Sequence, residues 1–105
     1  MLSGAAYSSA MIEQFELRRQ SDDLVYRFNR KPRPDGMAGF QRMDQDLWIT
    51  YRPVLGWVAW DDATQSVMGR PWDTLPAAQS PSEPPEGVWV SRKGAKSYVY
   101  NLVHL

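Results

Sequence analysis

The chain lacks cysteine altogether and has a single histidine, His104, among its 105 residues. Disulfide bonds, zinc–thiolate sites and thiol nucleophiles are therefore excluded. One histidine cannot build a multi-histidine metal site, and its place beside the C-terminal residue argues against a Ser-His-Asp triad. No phosphate-binding loop, dinucleotide-binding fingerprint or EF-hand spacing occurs. We therefore expect no catalytic residues, no metal and no cofactor, and the sequence argues against an enzyme.

Long hydrophobic runs are also missing. No apolar run approaches the roughly 20 residues of a membrane-spanning helix. The first eleven residues, MLSGAAYSSAM, have neither the basic region nor the hydrophobic core of a secretory signal. We therefore expect a soluble, cytoplasmic protein with no membrane partner.

Net charge is absent too, since 12 basic and 12 acidic residues cancel. The charges are distributed unevenly, however: the net charge is +2 over residues 1–42, −5 over residues 43–86 and +3 over residues 87–105. A neutral total argues against bulk nucleic-acid binding, although it permits a local basic patch. It also slightly favours self-association, because little charge keeps copies of the chain apart.

The most informative stretch that is present runs from Leu47 to Trp60, LWITYRPVLGWVAW. Two runs of β-branched and aromatic residues flank residues 53–56, a pattern typical of strand, turn and strand. In each strand large apolar side chains alternate onto both faces, whereas a solvent-facing hairpin has one polar face. This hairpin therefore needs cover on both faces, from the rest of the chain or from a second copy.

The segment AMIEQFELRRQ, residues 10–20, permits two structures. Its good helix formers favour a short helix. A hairpin with a turn at residues 20–23 explains more, because it places Phe15 opposite Phe28 and Glu16 opposite Arg27. Apolar pairs and opposite-charge pairs in one register are what cross-strand stabilisation requires. We favour the hairpin and keep the helix as the alternative.

Two more hairpins are predicted. The first has its turn at residues 62–65, although Asp62 could instead cap a short helix. The second has a Lys93-Gly94 turn between two β-rich runs. Its register places Trp89 opposite Tyr98 and brings the aromatic side chains of the two strands onto one face.

Loops and domain organisation follow from the prolines and glycines. Residues 1–10 are small and polar and are expected to be flexible. Five of the eight prolines lie in residues 71–87, which predicts an extended surface loop within a single β-rich domain at residues 11–105. About seven strands joined mostly by hairpins predict a mainly-β protein, an antiparallel sandwich or a small half-open barrel. The alternative is an α+β fold in which a helix at residues 9–20 covers the sheet.

Five tryptophans are a high load for this length. They could form a pocket for a small aromatic or cationic ligand. In that interpretation the binding residues are Trp72, Trp60, Trp48 and Asp61. The interpretation that we favour is a core or a subunit interface built from these large rings. The predicted interface residues are Trp48, Trp57, Trp60 and Tyr51.

Two charged clusters have weaker functional interpretations. The basic residues between positions 27 and 33 could grip phosphates, with Tyr26 and Phe28 stacking on bases. Strand alternation, however, places these rings on the strand face opposite to that of Arg27. This separation of the rings from the charges argues against nucleic-acid binding. Asp44 and Asp46 would share a strand face and could act as an acid–base pair, but turn residues are the simpler interpretation.

Three functions therefore remain open. We favour a small, self-associating binding domain that forms a homodimer through an apolar sheet face. The first alternative is a small-molecule-binding protein or enzyme with a tryptophan-lined pocket. The second is a nucleic-acid-binding module that uses residues 27–33.

Overall fold

The structure is a computed structural model that describes residues 11–105, so the flexible segment predicted at residues 1–10 lies outside the described residues. Each strand pairs antiparallel with the next one along the chain, and the last strand returns to pair with the first, which closes a barrel. A short 3₁₀ helix, Pro76–Ala78, lies between the sixth and seventh strands. The strands are β1 (Gln14–Arg19), β2 (Val25–Arg30), β3 (Gly39–Arg42), β4 (Trp48–Arg52), β5 (Gly56–Asp61), β6 (Ser66–Pro71), β7 (Gly87–Lys93) and β8 (Lys96–His104).

The predicted antiparallel β architecture is confirmed, and so is the first hairpin. Phe15 lies opposite Phe28 and Glu16 opposite Arg27, as the sequence predicted. The two phenyl rings stack with centroids 4.9 Å apart. The alternative helix is wrong for residues 11–20, because burial of alternate side chains in a barrel outweighs the weak helix propensity of the segment. Within residues 11–105 no helix is long and apolar enough to cross a membrane.

The barrel closes fully where a half-open barrel or sandwich was predicted. β1 pairs with β8, and Leu17 lies opposite Leu102 across that seam. The structure has eight strands in the described residues, one more than expected, because β3 was not predicted. Closure pairs every strand on both sides and so removes the exposed edges that invite aggregation.

The central hairpin has buried residues on both faces, although its outer face is covered only in part. Ile49 and Trp57 point into the barrel core. Thr50 and Val58 lie opposite each other on the outer face and are also buried. The cover there includes the loop between β2 and β3: the Arg33 side chain is only 5 % exposed, and its guanidinium lies 4.9 Å from the centre of the Trp48 ring.

The turn between β5 and β6 lies where it was predicted, with Asp61 opposite Ser66. The competing short helix is wrong. A bulge between Ala59 and Trp60 shifts the register, so that Gly69 and not Met68 lies opposite Ala59. Gly69 is closely packed at this point, because a Cβ atom on residue 69 would come within 2.8 Å of the indole nitrogen of the core residue Trp89.

The C-terminal hairpin is present, but its predicted register is wrong by two residues. Trp89 lies opposite Tyr100, not Tyr98, and the turn residues are Gly94 and Ala95. Gly94 has a φ of +63°, which matches a tight turn with glycine at its first central position. A shift of two residues preserves the side-chain alternation, so Trp89, Tyr98 and Tyr100 still share the inner face.

The proline-rich loop between β6 and β7 folds under one end of the barrel, which we call the closed end. The Trp57 indole donates to the Ser80 carbonyl at 2.7 Å, and Arg30 donates to the Ser82 carbonyl at 2.6 Å. His104 is hydrogen-bonded to the carbonyl of the buried Pro84 at 2.7 Å. This loop therefore seals the closed end. The turns at residues 20–24, 43–47, 62–65 and 94–95 surround the other end, which we call the open end.

Candidate functional site

The barrel interior contains a cavity of about 380 Å³ at the open end. This volume falls within the usual range for small-ligand pockets. An eight-stranded barrel leaves room for one small ligand when its side chains do not fill it completely. The deeper, largely apolar part of the cavity is formed by Leu17, Phe28, Ile49, Ala59, Trp89 and Tyr100.

The rim of this cavity is basic. Four cationic side chains contribute to the lining, and no carboxylate does: Arg19, Arg42, Arg92 and Lys93. Strand alternation explains how three of them reach the rim. Arg19, Arg42 and Lys93 each occupy the inward-facing position nearest the open end of their strand, and the preceding inward positions lie deeper in the barrel.

Arg19 lies at the rim between a carboxylate and two tyrosines. Its Nε and Nη2 donate to Asp22 at 3.0 and 2.8 Å, and its guanidinium lies 5.1 Å from the centre of the Tyr98 ring. Hydrogen bonding to Asp22 holds the pKa of Arg19 above its usual range and lowers the pKa of Asp22. Burial raises the pKa of the Tyr100 hydroxyl, and a hydrogen bond with Arg19 partly opposes this effect. All three groups therefore keep their ordinary charge at neutral pH.

Arg42 occupies a comparable position across the rim. Its guanidinium lies 4.0 Å from the centre of the Tyr26 ring and donates to Asp44, which lowers the pKa of that carboxyl group. The Tyr26 and Tyr100 rings are 6.1 Å apart. The walls of the rim are thus aromatic rings with cations stacked on them, and this arrangement favours a ligand that has both an apolar body and a negative charge.

The residues that the tryptophan pattern suggested as a ligand site do not line this cavity. Trp48 and Trp60 lie opposite each other on the outer face, where Trp48 donates to Asp46 and Arg52 stacks on Trp60 at 4.1 Å. Asp61 accepts hydrogen bonds from Ala63 and Thr64, as a turn residue does, and these bonds lower its pKa. Trp72 lies apart from them beyond the end of β6 and is 60 % exposed.

Two of the predicted interface residues lie on the outer face of the barrel, and the other two lie on its inner face. Trp48 and Trp60 are partly exposed outside, whereas Tyr51 and Trp57 pack against each other inside, with ring centroids 5.8 Å apart. Trp57 has no exposed surface in this structure. Homodimerisation stays a prediction.

Three of the four basic residues between positions 27 and 33 have separate partners, and the fourth, Lys31, is exposed. Arg27 pairs with Glu16 at 2.6 Å, Arg30 binds the proline-rich loop, and Arg33 is buried against Trp48. The sequence argued against nucleic-acid binding by these basic residues. That they do not bind nucleic acid stays a prediction. Asp44 and Asp46, for which a shared strand face was considered, lie instead in the turn between β3 and β4.

Sequence reasoning missed the rim residues, although a signal for them exists. In β1 the inward series is Phe15, Leu17, Arg19, and in β7 it is Trp89, Ser91, Lys93. A cation that follows buried apolar positions at a spacing of two indicates a charge turned into the barrel near its end. The predicted hairpin placed Lys93 in its turn, so neither cation was expected to face the barrel interior.

Comparison of the chain with protein families, curated proteins and solved structures found no match. Within residues 11–105 no group of three or more His, Asp or Glu side chains could hold a metal ion. The function is therefore inferred from the geometry of the cavity.

Proposed function

We propose that the protein binds a small amphipathic organic anion in the open end of its barrel. The observation that carries the proposal is a cavity of about 380 Å³ with apolar and aromatic walls and four cations, but no carboxylate, in its lining. The ligand class is thus an aromatic or short aliphatic body with an acidic head group. This develops the interpretation of the chain as a small-molecule-binding protein, with a different set of residues.

The energetics of such binding follow from the two parts of the cavity. Transfer of the ligand body against Leu17, Ile49 and Trp89 removes apolar surface from water, which contributes about 25 cal/mol per Å². The basic rim attracts the head group and orients it toward solvent. Because the rim is partly exposed, salt should screen this attraction.

Binding, and not catalysis, is the role that these side chains suit. Arg19 and Arg42 each lie between a tyrosine ring and a carboxylate, that of Asp22 for Arg19 and that of Asp44 for Arg42. Such prearranged groups reduce the ordering cost of association. A nucleophile paired with a general base is not needed for this function.

The test is a calorimetric titration with naphthalene-2-carboxylate and with its neutral counterpart, 2-naphthalenemethanol. We expect the carboxylate to bind with a Kd on the order of 10 µM. The neutral alcohol should bind at least about tenfold more weakly, because it loses the interaction with the cations.

Adjacent residues of β6 provide a matched pair of variants. Met68 lines the cavity, whereas Val67 lies on the outer face opposite Trp60. Met68→Trp should fill the cavity and abolish binding, and Val67→Trp should preserve it, provided that both variants melt cooperatively. Equal binding by both variants, or no binding by the wild-type protein, would refute the proposal.

A further inference from the structure

Three cations at the open end have no ion-pair partner among residues 11–105: Arg92, Lys93 and Lys96. All three lie at the tip of the β7–β8 hairpin and are exposed. They are also the only charged residues of the segment 87–105, which accounts for its net charge of +3. The proposed function does not give these three cations a role different from that of the arginines across the rim.

The arrangement of the two lysines is unfavourable for the isolated hairpin. Lys93 lies directly opposite Lys96 in the last pair before the turn. Like charges opposite each other destabilise a strand pair, whereas β1 and β2 place Glu16 opposite Arg27. An anion bound at the tip of the β7–β8 hairpin would relieve this repulsion.

The other two rim cations are already compensated. Arg19 is paired with Asp22 and Arg42 with Asp44. Among the described residues, a head group therefore meets unpaired positive charge on the β7–β8 side of the mouth, where Lys93 and Arg92 line the cavity and Lys96 faces Lys93. Three unpaired cations at the tip of one hairpin favour a head group with more than one negative charge.

We infer that the preferred ligand of the cavity is a phosphate monoester, whose dianionic head group binds to Lys93, Lys96 and Arg92. This inference rests on the proposed binding of an amphipathic anion. A phosphate monoester carries about −1.5 to −2 charges at pH 7 and three strong acceptor oxygens. Lysine ammonium groups bind phosphate as point charges, and charge-assisted hydrogen bonds of this kind are stronger than neutral ones.

The experiment compares 1-naphthyl phosphate with 1-naphthyl sulfate by calorimetric titration. The two probes share the ring and the oxygen geometry, but the sulfate carries a single negative charge. We expect the phosphate to bind at least about tenfold more tightly at moderate ionic strength, because the second charge interacts with the unpaired cations.

Charge-removing variants locate the head group. Lys93→Gln and Lys96→Gln should each weaken binding of the phosphate severalfold and reduce its preference over the sulfate. Lys31→Gln is the matched control, because Lys31 is an exposed lysine that follows β2 at the closed end. Without ligand, Lys93→Gln should not lower the melting temperature, since it removes a repulsion.

The results of these titrations distinguish a failure of this inference from a failure of the proposed function on which it rests. Equal affinity for phosphate and sulfate, unchanged in Lys93→Gln, would overturn the inference and leave the binding of amphipathic anions intact. If neither probe binds and naphthalene-2-carboxylate does not bind either, both are wrong.

Discussion

The Trp57 indole nitrogen donates a hydrogen bond of 2.7 Å to the carbonyl oxygen of Ser80. Trp57 is fully buried inside the barrel, so its polar N–H group needs a partner there. The proline-rich loop supplies that partner and in doing so closes one end of the barrel. We therefore expect a ligand to enter at the opposite, basic end.

The first prediction concerns Gln79, which fastens this loop to β5. Its side chain accepts from the Trp57 backbone N–H and donates to the Thr74 carbonyl, both at 2.8 Å. Gln79→Ala should lower the free energy of unfolding by about 1–3 kcal/mol, because partners near the barrel interior are left unsatisfied. Denaturant unfolding measures the loss. Gln20→Ala removes one exposed contact, to Asn101, and should cost much less; equal losses would contradict the role of Gln79.

The second prediction concerns the turn of the last hairpin. Gly94 has a positive φ, which a β-branched residue adopts only with strain. Gly94→Val should destabilise the fold by about 1 kcal/mol or more, whereas Ala95→Val at the neighbouring turn position should cost less. Thermal unfolding compares the two variants. A Gly94→Val protein with the wild-type melting temperature would show that the turn lies elsewhere.

The third prediction concerns acid stability. The Glu16 carboxylate is largely buried and accepts hydrogen bonds from Arg27 at 2.6 Å and Arg18 at 3.0 Å. These bonds, that from Arg27 above all, lower the pKa of Glu16 in the folded protein. Its contribution to stability is therefore fully present above the pKa of the unfolded state and is lost as the pH falls through the lowered folded-state pKa.

Glu16→Gln should accordingly reduce stability by about 1 kcal/mol at pH 7, a discounted value because both arginines are half exposed. The difference from wild type should shrink in acid. Glu13→Gln is the control, since Glu13 is 77 % exposed and lies 3.7 Å from Arg30. A deficit for Glu16→Gln that is constant from pH 7 to pH 3 would contradict this assignment.

The local strand pairing could be predicted from the sequence because short-range patterns determine it. Phe15 with Phe28 and Glu16 with Arg27 are complementary in only one register, and the structure has that register. Gly94 lies at a turn, as predicted, but the register of that hairpin was predicted wrongly by two residues. A shift of two residues keeps every side chain on its face, so strand alternation alone could not exclude the wrong register. The four-residue strand β3 was too short to stand out beside a loop rich in proline and glycine.

The closure of the barrel and the cavity could not be predicted in this way. The pairing of β1 with β8 joins residues at opposite ends of the chain, such as Leu17 and Leu102, and no local pattern encodes it. The inward position of Arg19 follows from alternation only after the inner face is known. The tryptophan count drew attention to Trp48 and Trp60, which lie on the outer face.

The fourth prediction is homodimerisation. The structure indicates which face of the central hairpin would form the dimer. Loop residue Arg33 packs over the outer face of the central hairpin, where Trp48 and Trp60 stay partly exposed. A dimer through this face should therefore depend on these two rings. Light scattering at micromolar concentration should give twice the 12.1 kDa chain mass for the wild type, and Trp48→Ala with Trp60→Ala should give a monomer. A wild-type monomer would contradict the prediction.

The most direct test of the binding proposal uses the indole N–H signals of the five tryptophans during a nuclear magnetic resonance titration with naphthalene-2-carboxylate. Only Trp89 among them lines the cavity, where its indole donates to Ser91 at 2.9 Å. The proposal predicts a saturable shift of the Trp89 signal, with the signals of Trp48, Trp57, Trp60 and Trp72 nearly unchanged. A shift of Trp72, or of Trp48 and Trp60, while the Trp89 signal stays fixed would place the ligand outside the barrel and contradict the proposed function.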